Sequence, residues 1–286
     1  MVIEVKGLTK YYGKTKAIEN VSFSVKEGEI VGFVGPNGAG KTTTIRIILG
    51  LLKPTSGKVY VFGKDVQKDY ANINSQVGYI PGEVNYYPGV KVKEFLKYAL
   101  RFHKDVDRDY FDFLCDMLKI EMDKKVEDLS LGNKKKLAIV QAFVHRPKLY
   151  IFDEPTNGLD PLQKQLYDLI RKERAERGAT FFFSSHNLSE VQKLCDRVIF
   201  IRKGQLIKEP SEYFNMKKVR MLSNSNCSDL KNLANVFNFK EQSGMKEFYY
   251  NGKINNLLEK LKEYDIEDLI IEDVSLEEIF EELYKN

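Results

Sequence analysis

At 286 residues the chain exceeds one typical domain and falls short of two large ones, which predicts a main domain with a smaller appendage. An apolar share of 43% supports a sizeable core, and a net charge of +4 is too weak to argue for a nucleic-acid or membrane partner. Cys115, Cys195 and Cys227 stand far apart in no CxxC or Cys/His metal spacing, which points to a reducing compartment, and the longest apolar stretch, residues 45–52, falls well below the ~20 residues that span a bilayer.

The charge is unevenly spread. Residues 211–286 carry 10 basic and 15 acidic side chains, a balance of −5, which leaves +9 for the rest. A basic body suits the handling of polyphosphate, although ordinary variation between two solvated surfaces accounts for it equally well.

Residues 2–25 alternate like strands, turning around Tyr12-Gly13-Lys14, and Met1 to Lys6 reads as a strand rather than a leader. The expectation is a soluble protein whose membrane role, if any, is borrowed from a partner. Residues 29–34 form a short apolar run of the kind seen in buried parallel strands. It enters a glycine-rich loop, Gly35 to Gly40, and then a helix ending near Gly50. Further strands are expected at 59–62 and 77–80, and a helical pattern from about 92 to 144. Next come an apolar strand at 149–152, a helix from about 161 to 177, and a strand at 180–183. Asn187-Leu188-Ser189-Glu190 reads as a capping box, and a closing hairpin follows over 198–207. Strands alternating with helices imply an α/β domain with a mostly parallel sheet.

Pro210 marks the expected boundary, giving a main domain over 1–210, with its helical part at about 84–144, and a second domain over 211–286. Beyond it the order reads strand (219–222), helix (228–234), hairpin (237–250), helix (254–264) and strand (268–271). Ser275-Leu276-Glu277-Glu278 then caps a last helix. That is the element order of a small ferredoxin-like α+β unit.

The strongest chemical signal is Gly35-Pro36-Asn37-Gly38-Ala39-Gly40-Lys41-Thr42, which fits G-x-x-x-x-G-K-[ST] between a strand and a helix. Glycines permit a concavity whose N–H groups face phosphates, and the following helix adds its positive end. Lys41 is expected to reach the β- and γ-phosphates and the Thr42 hydroxyl to hold Mg²⁺, with Thr43 counted among the nucleotide-binding residues. Downstream, the apolar strand ends in Asp153, placed to hold Mg²⁺, usually through water. The adjacent Glu154 is the candidate to activate the attacking water.

Several further segments accompany these two. Leu129-Ser130-Leu131-Gly132-Asn133 resembles the LSGGQ signature of ATP-binding-cassette (ABC) proteins. Asn157-Gly158-Leu159-Asp160 resembles their D-loop, Ser184-Ser185-His186 their switch histidine, and Tyr12-Gly13 their adenine-stacking aromatic loop. The resemblance covers about residues 1–209, and the tail with Asp273 to Glu278 looks like that of exporter-type ATPases of the family. It implies a P-loop NTPase fold of the ABC type: a parallel sheet core, an antiparallel β subdomain and a helical subdomain, with a small C-terminal α+β domain. Two ATPs would be sandwiched between two copies, a homodimer, with Ser130 and Gly132 of one facing the γ-phosphate bound by the other. His186 would contact the γ-phosphate and Asp160 would sit across the interface. Ser130 as a plain helix cap and Tyr12 as a strand-turn aromatic are the structural readings of the same residues. His103 and His145 match nothing and are expected to be surface or packing residues.

The signature departs from the family pattern at Leu131 and Asn133, while keeping Ser130 and Gly132. Gly82 stands where the family usually places a glutamine that senses Mg²⁺ and relays to the permease. Either Glu83 substitutes, or Thr42 and Asp153 manage with waters. The implied function is ATP hydrolysis by a cytoplasmic subunit, peripheral on the inner face of the cell membrane, that energises export of a drug, antimicrobial peptide or lipid through a separate integral-membrane permease. A soluble ABC ATPase of the Fe–S-assembly type is the alternative. A GTPase is disfavoured by the lack of an NKxD stretch.

Overall fold

The computed structural model describes residues 1–103, 106–155, 160–207, 216–233, 235–275 and 278. It divides into two compact units, 1–207 and 208–286.

The first unit opens with the long strands β1 (Ile3–Tyr12) and β2 (Thr15–Val25), an antiparallel pair with register shifts between Val5 and Tyr11. β3 (Ile30–Val34) leads into α1 (Lys41–Ile48). β4 (Ser56–Val61) and β5 (Lys64–Asp65) then complete an antiparallel sheet of order β2-β1-β4-β5. The short α2 (Val66–Asn74), which the sequence reading passed over, is capped by Asp65, whose Oδ1 accepts from Gln67 N at 2.9 Å.

β6 (Val77–Ile80) is followed by three helices, α3 (Val92–Leu100), α4 (Arg108–Leu118) and α5 (Leu131–Phe143). The chain then runs through β7 (Leu149–Asp153), α6 (Asp160–Arg177), β8 (Thr180–Ser185), α7 (Leu188–Leu194), β9 (Arg197–Arg202) and β10 (Gln205–Leu206). The second sheet has the order β10-β9-β3-β8-β7-β6, all parallel except the edge strand β10. Three of its four inner strands read IVGFV, LYIFD and TFFFSS and are buried along their whole length, as strands covered on both faces must be.

Alternation within those strands sorts aromatic rings onto opposite faces. Phe182 stacks on Phe23 at 5.5 Å and lies beside Phe33, while Phe181 stacks on Tyr150 at 4.6 Å with Phe143 behind it. Each buried ring contributes about 1.5–3 kcal/mol by leaving water. A fully buried carboxylate, Glu173 on α6, ties α4 to this face. It accepts from the Tyr110 hydroxyl at 2.8 Å and pairs with Arg146 at 2.9 Å, while the Arg146 guanidinium lies 4.4 Å from the Tyr110 ring centre. Burial, and then Glu173, push the Tyr110 hydroxyl well above its ordinary range.

One expectation for this unit is modified. Asn187 caps α7 by accepting from Ser189 N and Glu190 N. Glu190 does not complete the box: its carboxylate turns inward to Gln163 Nε2 at 2.6 Å and Ser185 Oγ at 3.3 Å. His103 and His145 are packing residues, as expected: they stack on one another at 3.9 Å, and burial pushes His145 down to about 4.

The second unit is an antiparallel sheet of order β12-β13-β11-β14, built from β11 (Lys217–Leu222), β12 (Val236–Gln242), β13 (Met245–Tyr250) and β14 (Asp268–Asp273). α8 (Ile254–Leu261) lays Leu257 and Leu261 into a core with Val219, Met221, Phe248 and Tyr250. This is the ferredoxin-like strand order. The helix expected at 228–234 is instead a 3-10 turn, Ser228–Asn232. With Leu230 and Leu233 its only large apolar residues, and Asn235 at φ +85°, the segment has no stripe long enough to bury an α-helix. α8 likewise stops short of Tyr264, whose hydroxyl bonds Asp229 at 2.6 Å. At the end of the unit Ser275 and Glu278 form a reciprocal capping box at 3.2 Å each way. The helix expected to follow lies outside the described residues.

Candidate active site

Register in the parallel sheet assembles the site. β3 lies beside β8, and β8 beside β7, with Val34 opposite Ser185 and Asp153 opposite Ser184. The glycine loop, the Ser185–His186 turn and the Asp153–Glu154 pair therefore emerge side by side at the carboxyl edge, where open α/β sheets bind ligands.

The loop needs its glycines for different reasons. At Gly35 a β-carbon would stand 2.2 Å from the Ile201 carbonyl, so the backbone could not pass. Gly40 caps α1 at φ +106°, a conformation other residues rarely adopt, with no side-chain cap. The first N–H groups of α1 therefore face outward without helical acceptors. An open cleft of about 190 Å³ lies over them, bounded by Asn37, Gly38, Ala39, Lys41, Thr42 and Thr43, with Glu154 opposite. A cleft floored by N–H groups and a helix's positive end takes a phosphate chain.

Lys41 is 4 % exposed, and its ammonium donates to the Gly35 and Pro36 carbonyls at 2.6 and 3.1 Å. It also lies 3.1 Å from Glu154 Oε1, while the other oxygen of Glu154 lies 3.1 Å from His186 Nδ1. Glu154 therefore stands between a cation at the phosphate loop and the histidine that follows β8. Its backbone is in the left-handed region, φ +47°. Ser184 braces both acids: its hydroxyl donates to Asp153 Oδ1 at 2.7 Å and accepts from Glu154 N at 3.0 Å. Ser184 received no role from sequence alone, because a serine ending an apolar strand has many uses and only register aligns it with Asp153.

Gly82 leaves β6 beside Asp153. A β-carbon there would meet the Asp153 carbonyl at 3.3 Å and Oδ2 at 3.5 Å, so the missing side chain leaves room next to the carboxylate oxygen that Ser184 does not hold. Glu83 is exposed.

Ser130, Gly132 and Tyr12 are not among the residues that line this cleft. Ser130 caps α5, its Oγ accepting from Asn133 N at 3.3 Å, with Gly132 in the first turn, and neither lines the cleft. Asn133 has turned to Glu121 at 2.7 Å, and Leu131 is exposed. Tyr12 ends β1 half exposed, with the Lys10 ammonium 5.4 Å from its ring centre. Residues 157–159 lie outside the described residues, and Asp160 is described only as the first residue of α6.

Comparison with known proteins settles the family. A family model described as ABC transporter matches residues 18–157. The chain is 41% identical to the bacitracin transport ATP-binding protein BcrA of Bacillus licheniformis, covering 73% of this chain and 69% of that protein. The chain belongs to the ABC transporter ATP-binding proteins. Another member, the uncharacterized ABC transporter ATP-binding protein YhaQ of Bacillus subtilis, is 30% identical over 97% of this chain and 98% of its own, so the likeness extends through the second unit. Among solved structures, a dimeric post-hydrolysis state of the ATP-binding cassette MJ0796 bound to ADP and Pi superposes with a TM-score of 0.65 at 25% identity. It covers 72% of this chain and 97% of that one. This cassette is an ATPase, built on the P-loop α/β fold that its motifs imply. No helix among the described residues is long and apolar enough to cross a membrane.

Proposed function

We propose that this cassette is the motor subunit of an exporter, working as a homodimer on the cytoplasmic face of a separate integral-membrane permease. The observation that carries the catalytic part is the contact chain Lys41–Glu154–His186 at the mouth of the phosphate loop. ATP would lie along that loop, its γ-phosphate drawing Lys41 away from Glu154. The freed carboxylate then accepts a proton from the attacking water, and His186 orients both water and phosphate. Tyr12 would stack on the adenine. Ser130 and Gly132, which do not line this chain's own cleft, would present a helix start to the γ-phosphate of the second copy, with Asp160 at the interface.

Thr42 and Asp153 fit a magnesium ion: one oxygen of Asp153 is held by Ser184, and the other faces the space left by Gly82. Bound there, Mg²⁺ would neutralise charge on the β- and γ-phosphates. Gly82→Gln would bring an amide to Asp153 with only a few tenths of an ångström of adjustment, and it should lower the Mg²⁺ concentration giving half-maximal ATPase rate. An unchanged Mg²⁺ dependence would mean that this position takes no part.

Export of a drug, antimicrobial peptide or lipid is supported by the likeness to the bacitracin transport protein. The relatives are transporter ATPases, which leaves the Fe–S-assembly reading without support. Affinity purification of the tagged chain from detergent-solubilised membranes tests the assignment. A polytopic membrane protein should co-elute in stoichiometric amount and alter the ATPase rate. Recovery of the chain alone, with none in the membrane fraction, would refute it.

A further inference from the structure

Helix α5 carries three consecutive lysines that meet different surroundings. Lys134 and Lys136 keep partial access to solvent, whereas Lys135 is 2 % exposed, on the face that buries Ala138 and Ile139. Its ammonium donates to the backbone carbonyl of Glu154 at 3.4 Å, across the gap between α5 and the end of β7. Burial pulls Lys135 below the usual lysine range, and the carboxylates of Glu154 and Glu190 oppose that pull.

An ammonium in this position costs several kcal/mol of desolvation unless acceptors meet it, and an apolar residue would pack there without that cost. One group that it meets, the Glu154 carbonyl, is itself under constraint. A non-glycine residue in the left-handed region persists only where its surroundings hold it there. The Glu154 N–H is held by both the carbonyl and the hydroxyl of Ser184, at 3.2 and 3.0 Å, and its C=O by Lys135.

We infer that Lys135 is a positioning residue for hydrolysis: by fixing the Glu154 carbonyl it holds the turn that aims the carboxylate at the attacking water. The inference rests on Glu154 being the catalytic base. Because Lys135 rides on the helix that Ser130 caps, it also joins the signature helix to the Glu154 turn of the same chain.

Turnover and ATP affinity measured side by side for wild type, K135M, K135R and E154Q test it. K135M should bind ATP within about threefold of wild type while its kcat falls about tenfold or more, since a reacting group displaced by an ångström can cost ~100-fold. K135R, which keeps a cation able to donate to the carbonyl, should recover most of that loss. Wild-type kcat in K135M overturns the inference, and so do kcat and affinity falling in parallel in both lysine variants. If K135M does not fold, K135Q takes its place with the same two outcomes. E154Q separates the underlying reading: full turnover there removes Glu154 as the base, whereas an inactive E154Q beside a fully active K135M removes only the role of Lys135.

Discussion

Glu154→Gln should bind ATP more tightly than the wild type yet hydrolyse it about 100- to 10,000-fold more slowly, the range lost with a general base. The tighter binding follows from electrostatics. In the structure Glu154 holds Lys41 at 3.1 Å and lines the phosphate cleft, so a γ-phosphate must compete for the lysine and meet a like charge. Glutamine is nearly isosteric, keeps a group opposite His186, and removes both penalties. Blocked hydrolysis should then accumulate the ATP-bound pair of cassettes, measured as a doubling of mass by light scattering on a sizing column. A variant turning over at the wild-type rate would place the base elsewhere. A slow variant that stays monomeric with ATP, alone and with its permease, would remove the head-to-tail site formed with Ser130 and Gly132 of the second copy.

Lys41→Ala should cut ATP affinity by about 30- to 5,000-fold, the 2–5 kcal/mol that truncation of a buried charge partner costs. Lys41 is almost fully buried and already fixed by the Gly35 and Pro36 carbonyls, so its ammonium is pre-positioned over the loop and little entropy is lost when phosphate arrives. The loss should be much smaller for a nucleotide lacking the γ-phosphate. Equal weakening of ADP and ATP would mean that Lys41 does not read the γ-phosphate. A fluorescent-nucleotide titration resolves this, with a circular-dichroism melt to establish that the variant is folded.

The phosphate loop was legible residue by residue because its geometry is local. Gly40 must adopt a positive φ, Gly35 must let another strand's carbonyl pass, and Lys41 follows within one turn. The strand ending in Asp153 and Glu154 was legible for a similar reason, since an unbroken apolar run cut short by two acids reads as a buried strand reaching water. The tail was read almost entirely from strand alternation. The exception, the turn at Ser228–Asn232, lacked the apolar stripe from which a helix can be told.

Three polar side chains at the carboxyl edge of the sheet and on the helices beside it could not be read in this way. Ser184 is one of two serines closing β8, and only the pairing of β7 with β8 selects it over Ser185 to brace the acids. Lys135 is the middle of three lysines, and its charge alone would place it in solvent, as with its neighbours. Glu190 sits where a capping box would turn it outward, yet it faces Gln163 on α6.

Composition, periodicity and motif spacing pointed to the glycine loop, the α/β class and the acid pair that closes β7, since each depends on residues a few positions apart in one stretch of chain. Which polar groups meet those acids depended on strand register and helix packing, which join residues from 19 positions apart, as with Lys135 and Glu154, to 113, as with Lys41 and Glu154. A buried charge is stable only where such distant partners satisfy it, so its place is set by the fold and not by its neighbours in sequence.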